Sequence, residues 1–306
     1  MRVGLTGSSG FIGTALVEAL RERGDDVVRF VRPDSGTQEE RVIRWDPIRH
    51  VVDEQDLARA GGFDAVVNLA GAGIGDHRWS DDRKQEILRS RVDSTSLLVQ
   101  ALRSTSSGTA MLASGSAVGY YGSRGDEELS ESSTPGDDFL ARTCVQWENA
   151  ALMLREDGAK VATLRSGIVV SADGGALKRQ LPLFRLGIGG PLSSGRHWLS
   201  PISLVDEVRA ILWIVDHQVS GAVNLTCPAP ITNLQFSREL AQALHRPAVV
   251  KVPAFALRVV LGGQLARGAV LASQRAVPQV LNQTGFVFEN HDTRAIVGEV
   301  VRLRTN

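Results

Sequence analysis

Along the first half of the chain the apolar positions fall into two alternating patterns. Short runs of consecutive aliphatic residues predict buried strands: Val3-Gly4-Leu5, Val27-Val28-Arg29-Phe30-Val31, Ala65-Val66-Val67-Asn68-Leu69, Ala110-Met111-Leu112-Ala113 and residues 160–164. A further strand is expected over 41–45. Between these runs, apolar residues recur at helical spacing over 11–23, where Ile12, Ala15, Leu16, Ala19 and Leu20 share a face, and helices are also expected over 80–102 and 138–155. Ser80 stands in the N-cap position of the second of these, followed by Asp81 and Asp82, where the helix dipole favours acids. Short buried strands alternating with helices predict right-handed crossovers and an α/β fold, with a doubly wound parallel sheet covered on both faces.

After Arg165 the pattern changes. Residues 167–200 are rich in Gly, Ser and Pro and are expected to be loop-dominated, the kind of segment that carries substrate contacts. Helices return over 205–215 and 233–244, and Ala222-Val223-Asn224-Leu225 reads as a late strand rejoining the first sheet. The expected organisation is therefore a doubly wound α/β domain over 1–165, completed by a strand near 222–226. The rest, 166–306, forms a smaller, discontinuous C-terminal α+β domain.

Composition narrows the classes. In 306 residues, 34 Lys and Arg balance 34 Asp and Glu, which argues against a nucleic-acid binder driven by bulk charge. Apolar residues at 43% suffice for a large core. Two cysteines, Cys144 and Cys227, do not make a disulfide framework and imply a reducing compartment, the cytoplasm. The six histidines show no ligand spacing, so no metal site is expected. No apolar run approaches the ~20 residues a membrane span needs, and no membrane partner is expected.

The most informative segment is Thr6-Gly7-Ser8-Ser9-Gly10-Phe11-Ile12-Gly13, lying between the first strand and the first helix. Gly7 permits a tight turn, Gly10 lets the backbone approach a pyrophosphate, and Gly13 lets helix and strand pack closely, as in a Rossmann fold. The amide hydrogens at the helix start then face the anion. At the end of the second strand an acid would select NAD and an arginine NADP. Here Arg32 follows Val31, while the first acid, Asp34, lies beyond Pro33. Arg32 reads as the partner of a 2′-phosphate, against the alternative of a solvated surface arginine.

With Asn68-Leu69-Ala70-Gly71, Arg78-Trp79, Ser90-Arg91-Val92, the Ser114-Gly115-Ser116 cluster and its continuation Ala117-Val118-Gly119-Tyr120-Tyr121-Gly122, Trp147-Glu148, Leu164-Arg165-Ser166-Gly167 and Gly189-Gly190-Pro191-Leu192, the chain resembles the extended short-chain dehydrogenase/reductase superfamily. More closely it resembles the atypical epimerase family of NAD(P)-dependent, sugar epimerase-like proteins. The likeness runs over nearly the whole chain and includes Ser273-Gln274-Arg275 in the small C-terminal domain. It implies that Gly7, Ser9, Gly10, Phe11, Ile12 and Gly13 line the pyrophosphate and that Arg32 meets the adenosine phosphate. It further implies that Leu69, Ala70 and Gly71 border adenine and ribose, with Glu86, Arg91 and Ile168 as further cofactor contacts. A homodimer through the helices over 80–102 and 138–155 is implied by the same likeness. Arg91 is open to a plainer reading, a helix charge paired with Glu86 or Asp93.

One departure bears on chemistry. The superfamily's acid/base dyad is a Tyr and a Lys four residues later; aligned on Trp147-Glu148, those positions hold Leu140 and Cys144. Tyr120 and Tyr121 are the only tyrosines, so no Tyr-xxx-Lys exists elsewhere. Ser116, at the place of the superfamily's catalytic serine, and Tyr121 are then the candidate catalytic residues, the tyrosine being otherwise a packing residue. Cys144 reads as a small buried apolar residue rather than a nucleophile. The resulting expectation is an NADP(H)-binding oxidoreductase or epimerase acting on a carbonyl or sugar-type small molecule without the usual dyad. The alternative is a catalytically degenerate NADP-binding sensor or scaffold, with a link to cell division implied by the family.

Overall fold

A computed structural model describes residues 1–36, 41–105, 109–172, 174–248 and 250–302. The first half runs β1 (Arg2–Thr6), α1 (Phe11–Glu22), β2 (Asp26–Val31), β3 (Val42–Asp46), β4 (Val51–Val52), α2 (Glu54–Ala60), β5 (Phe63–Asn68), α3 (Asp81–Arg103), β6 (Thr109–Ala117), β7 (Glu128–Leu129), α4 (Phe139–Leu152) and β8 (Lys160–Ser166). The second runs β9 (Ile168–Val170), α5 (Gly175–Arg185), β10 (Trp198–Leu199), β11 (Pro201–Ser203), α6 (Leu204–Asp216), β12 (Gly221–Leu225), β13 (Ile231–Thr232) and α7 (Asn233–Ala243). It closes with α8 (Ala254–Leu261), α9 (Gly263–Leu265), a π-turn over Ala266–Val270, β14 (Arg275–Ala276), α10 (Gln279–Gln283) and α11 (Thr293–Arg302).

The large sheet has the order β12-β8-β6-β5-β1-β2-β3-β4 and is parallel except where β4 pairs with β3. This is the doubly wound α/β sheet of a Rossmann fold. Both faces are buried, which is why its strands read as unbroken apolar runs. Within β5, Ala65 and Val67 face one core with α1 and α6, while Val66 between them faces the other with α3 and the end of α4. Serines and acids fix where helices begin: Ser80 Oγ accepts from Arg83 N at 3.1 Å and Asp138 Oδ1 from Ala141 N at 2.9 Å.

The chain winds outward from β1 through β2 to β3, then returns to β5 on the other side of β1. This reversal opens a crevice at the C-terminal ends of β1 and β5, where open α/β sheets hold their ligands.

The segment 167–200 keeps long irregular stretches, as its composition suggests, but it is not loop throughout. It contains α5, whose Leu177, Leu181 and Phe184 pack in a separate core with Phe236 and Leu240 of α7 and Val297 of α11. The apolar spacing is helical, but Gly174-Gly175 before it and Pro182 within it mask it. Tertiary burial overrides these local signals. Helices α8 and α11 likewise lie beyond the sequence expectations.

One buried carboxylate is among the groups that fasten the C-terminal region to the sheet domain. Ser203 caps α6, and Asp206, fully buried, accepts from the backbone N–H groups of Glu289 at 2.9 Å and Asn290 at 2.8 Å, and from Arg209 at 2.8 Å. The Asp206 side chain thus serves backbone amides 83 and 84 residues away. Replacing Asp206 by Ala leaves two buried amides without acceptors, and we expect a loss on the order of 2–4 kcal/mol in urea unfolding. A loss below about 1 kcal/mol would show that water replaces the carboxylate.

Candidate active site

The glycine turn is built by steric exclusion. Gly7 has φ +65°, and a Cβ there would lie 2.5 Å from Leu69 O; a Cβ on Gly13 would lie 2.1 Å from Gly7 O. Only hydrogen fits at either position. Helix α1 starts at Gly10 with no side-chain cap, so the amides of its first turn are left facing the crevice. The facing wall is set by buried hydroxyls and amides. Thr6 Oγ1 donates to Asn68 Oδ1 at 2.7 Å and accepts from Leu69 N and Ala70 N at 3.1 and 3.2 Å. Asn68 Nδ2 donates to Thr95 Oγ1 at 2.8 Å and Ser114 Oγ at 3.0 Å, and Trp147 Nε1 reaches the same threonine at 3.0 Å. The turn after β1 and the wall after β5 are thus held in one network.

The structure brings Gly7, Ser9, Gly10, Phe11, Ile12, Gly13, Leu69, Ala70, Gly71 and Ser116 to the C-terminal end of the sheet. Phe11 turns its ring under the β9–α5 connection, where a Cβ on Gly174 would overlap it at 2.1 Å, so it offers the crevice its backbone. Ile168, opening β9, donates its N–H to Ser200 O at 2.9 Å.

Arg91 crosses to the wall. It donates to Ala72 O at 3.0 Å and Ile87 O at 3.1 Å, and a Cβ on Gly71 would lie 3.2 Å from its Cζ. Its guanidinium stacks 5.1 Å from the Trp147 ring centroid, and burial pulls its pKa below the ordinary value. Glu86 pairs instead with Arg83, at 2.6 Å, and no carboxylate among the described residues forms an ion pair with Arg91. A half-buried cation that meets carbonyls and an indole face but no carboxylate is suited to an anion. Arg32 is half exposed, with Nη1 3.7 Å from Asp46 Oδ1. Arg29, which the sequence reading passed over for a role, reaches Ser8 Oγ in the glycine turn at 2.9 Å.

Beneath Ser116 lies a charged group that motif spacing does not reveal. Ser116 Oγ donates to Glu148 Oε1 at 2.6 Å, and Arg165 forks onto the same carboxylate, Nε to Oε1 at 2.8 Å and Nη2 to Oε2 at 2.9 Å. Both partners are buried, and the Arg165 guanidinium lies 3.5 Å above the Tyr120 ring centroid. The sequence signal for Glu148 and Arg165 was their place in the resembling segments, without a role attached.

Tyr121 is not in the crevice. It is fully buried against Val118, Leu129 and Ala276, donates to Asn224 Oδ1 at 2.7 Å, and accepts from Arg165 Nη1 at 3.1 Å. Burial pushes its hydroxyl up to about 12, so the expected proton donor is a structural phenol. Leu140 and Cys144 are buried on α4 beside Gly119, and burial pushes the Cys144 thiol up to about 11. Among the described residues no cluster of His, Cys, Asp and Glu is suited to a metal.

A doubly wound sheet, a glycine turn at its reversal and a serine at the end of β6 without a Tyr–Lys dyad define an atypical member of the extended short-chain dehydrogenase/reductase class. The chain belongs to the NAD dependent epimerase/dehydratase family, which residues 3–225 match; residues 252–297 match a domain of unknown function, DUF1731. It is 41% identical to the epimerase family protein Mb2239 of Mycobacterium bovis over 304 residues, covering 99% of this chain and 97% of that one. It is 36% identical over 295 residues to the chloroplastic SDR39U1 homolog of Arabidopsis thaliana, covering 94% of this chain and 83% of that one. The crystal structure of human epimerase family protein SDR39U1 (isoform 2) with NADPH superposes with a TM-score of 0.89 at 31% identity, covering 99% of each chain.

Glu207, at the start of α6, has a measurable consequence. It is fully buried; Ser166 Oγ donates to its Oε1 at 2.6 Å, its Oε2 has no partner among the described residues, and burial pushes its pKa up from 4.5 to about 8. The folded state therefore holds a proton that the unfolded chain releases near 4.5. The protonated carboxyl keeps its full stability below that value, and stability falls as pH rises toward 8. We expect urea unfolding to show a loss on the order of 3–5 kcal/mol from this group across that window. Glu207→Gln should flatten the profile, and an unchanged slope in the variant would refute the assignment.

Proposed function

We propose that the protein binds NADP(H) in the crevice and exchanges hydride with a small hydroxyl or carbonyl compound of sugar type. The observation that carries this is the fit between the glycine turn and a diphosphate: two positions admit only hydrogen, and the helix amides beside them are left uncapped. Arg32 would meet the adenosine 2′-phosphate, and Arg91 would add positive charge at the far wall. NADPH in the superposed human structure supports the choice of cofactor. When bound, the nicotinamide supplies the hydride acceptor or donor.

The protein's own contribution follows from the polarity at Ser116. Its proton is directed to Glu148 Oε1 at 2.6 Å, so a lone pair is what it offers a ligand. It takes a group that donates, an alcohol rather than a carbonyl. With the nicotinamide in place to exchange hydride, Ser116 Oγ would take the proton of the alcohol while the Ser116 proton passes to Glu148. The reverse transfer would return both protons, and its occurrence on the opposite face of the substrate would give epimerisation. Ser116 and Glu148 thereby occupy the role of the missing Tyr and Lys.

A second reading, binding without turnover, is favoured by Leu140 and by the buried, fully bonded hydroxyl of Tyr121. The two separate by experiment. In fluorescence titration we expect Arg32→Glu to weaken NADPH binding by roughly tenfold or more while leaving NADH little changed. Equal wild-type affinities for the two would remove Arg32 from its role. Against a panel of nucleotide sugars and carbonyl compounds, Ser116→Ala is expected to lower turnover by about 10²-fold with NADPH affinity retained. Tight NADPH binding with no turnover anywhere in the panel would establish the second reading.

A further inference from the structure

Net neutrality hides a strong segregation of charge. Residues 240–288 contain five Lys and Arg and no acid, and residues 174–205 contain four and no acid. The fold lays these two stretches side by side. Leu192 bridges Val252, Ser193 N donates to Val252 O at 2.8 Å, Val252 N donates to Pro191 O at 3.0 Å, and a Cβ on Gly187 would touch Pro247 at 3.6 Å. The joined strip runs from the end of α5 through 186–193, 247–248 and 250–253 into α8.

Its surface is both apolar and basic. Phe255 and Val259, one turn apart on α8, are 69% and 68% exposed, Leu186 is 73% exposed, and Ile188 and Val250 are exposed beside them. Helix α8 buries none of its residues. Among them stand the exposed Arg185, Arg246, Lys251 and Arg258, none within ion-pair distance of a carboxylate among the described residues. Arg78 holds α8 by its last carbonyls, donating to Val260 O at 3.0 Å and Val259 O at 2.5 Å, so the helix is fixed with these side chains outward.

We propose that this strip docks the protein peripherally on an anionic lipid surface, with Phe255, Val259, Leu186 and Ile188 entering the headgroup boundary and the four cations meeting lipid phosphates. Charge complementarity selects this occupant. A second copy placed face to face would set basic strip against basic strip, and interleaved cations and aliphatics are the composition of interfacial segments. The expectation of no membrane partner rested on the lack of a spanning segment. No described helix is long and apolar enough to cross a bilayer, which leaves binding at the surface untouched.

The test is flotation of the full chain with vesicles of phosphatidylcholine alone or mixed with about one third phosphatidylglycerol. Binding to the anionic vesicles at least tenfold above the neutral ones, and lost in high salt, is expected. The Phe255→Ser/Val259→Ser and Lys251→Glu/Arg258→Glu double variants should each weaken it by about tenfold. Thermal melting and NADPH titration confirm that the variants are folded. No binding to the anionic vesicles, equal binding to both kinds, or unchanged binding by both folded variants overturns the proposal. So does a concentration-dependent dimer in sedimentation that the Phe255→Ser/Val259→Ser variant dissolves.

Discussion

Two opposite charges taken out of water together, Arg165 from β8 and Glu148 from α4, organise the chemistry of this molecule. Burying an ion is costly unless its partner and every remaining donor and acceptor are satisfied. Here the fork supplies two bonds, Ser116 supplies a third, and the guanidinium rests on Tyr120 while meeting the Tyr121 hydroxyl and Glu131 O. The same cluster reaches the C-terminal region, because Tyr121 donates to Asn224 and Asn224 Nδ2 donates to Val277 O at 2.9 Å. Sheet, crevice and C-terminal segment therefore share one polar core.

That core accounts for the use of a phenol in a place where chemistry does not need it. A tyrosine serves as an acid when a nearby cation stabilises its phenolate and solvent or substrate can reach it. Tyr121 has the cation, but its hydroxyl is saturated by Asn224 and Arg165, and burial outweighs the cation. The leucine and cysteine at the dyad positions fit the same design. With its proton held by a carboxylate, Ser116 presents an acceptor rather than a donor at the end of β6.

How much of this was legible beforehand depends on the range of the interaction concerned. The parallel sheet was readable because strands buried on both faces must be apolar throughout, and the glycine turn because a local steric requirement fixes residue type at Gly7, Gly10 and Gly13. The absent dyad was equally plain from Leu140 and Cys144. Helix α5 was hidden because glycine and proline argue against a helix that only Phe236 and Leu240 make worthwhile. Glu148, Arg165 and Glu207 gave no spacing signal, since their partners lie 17 to 44 residues away.

By itself, then, the sequence settled the fold class, the sterically tight glycine turn after β1, and the lack of a Tyr–Lys pair, each a matter of neighbouring residues and their excluded volume. Only the folded chain decided the direction of the Ser116 proton, the removal of Tyr121 from the crevice, and the merging of two acid-free stretches into one basic, apolar strip. Hydrogen-bond polarity, desolvation and surface charge are sums over atoms that become neighbours through folding, and chain order does not record them.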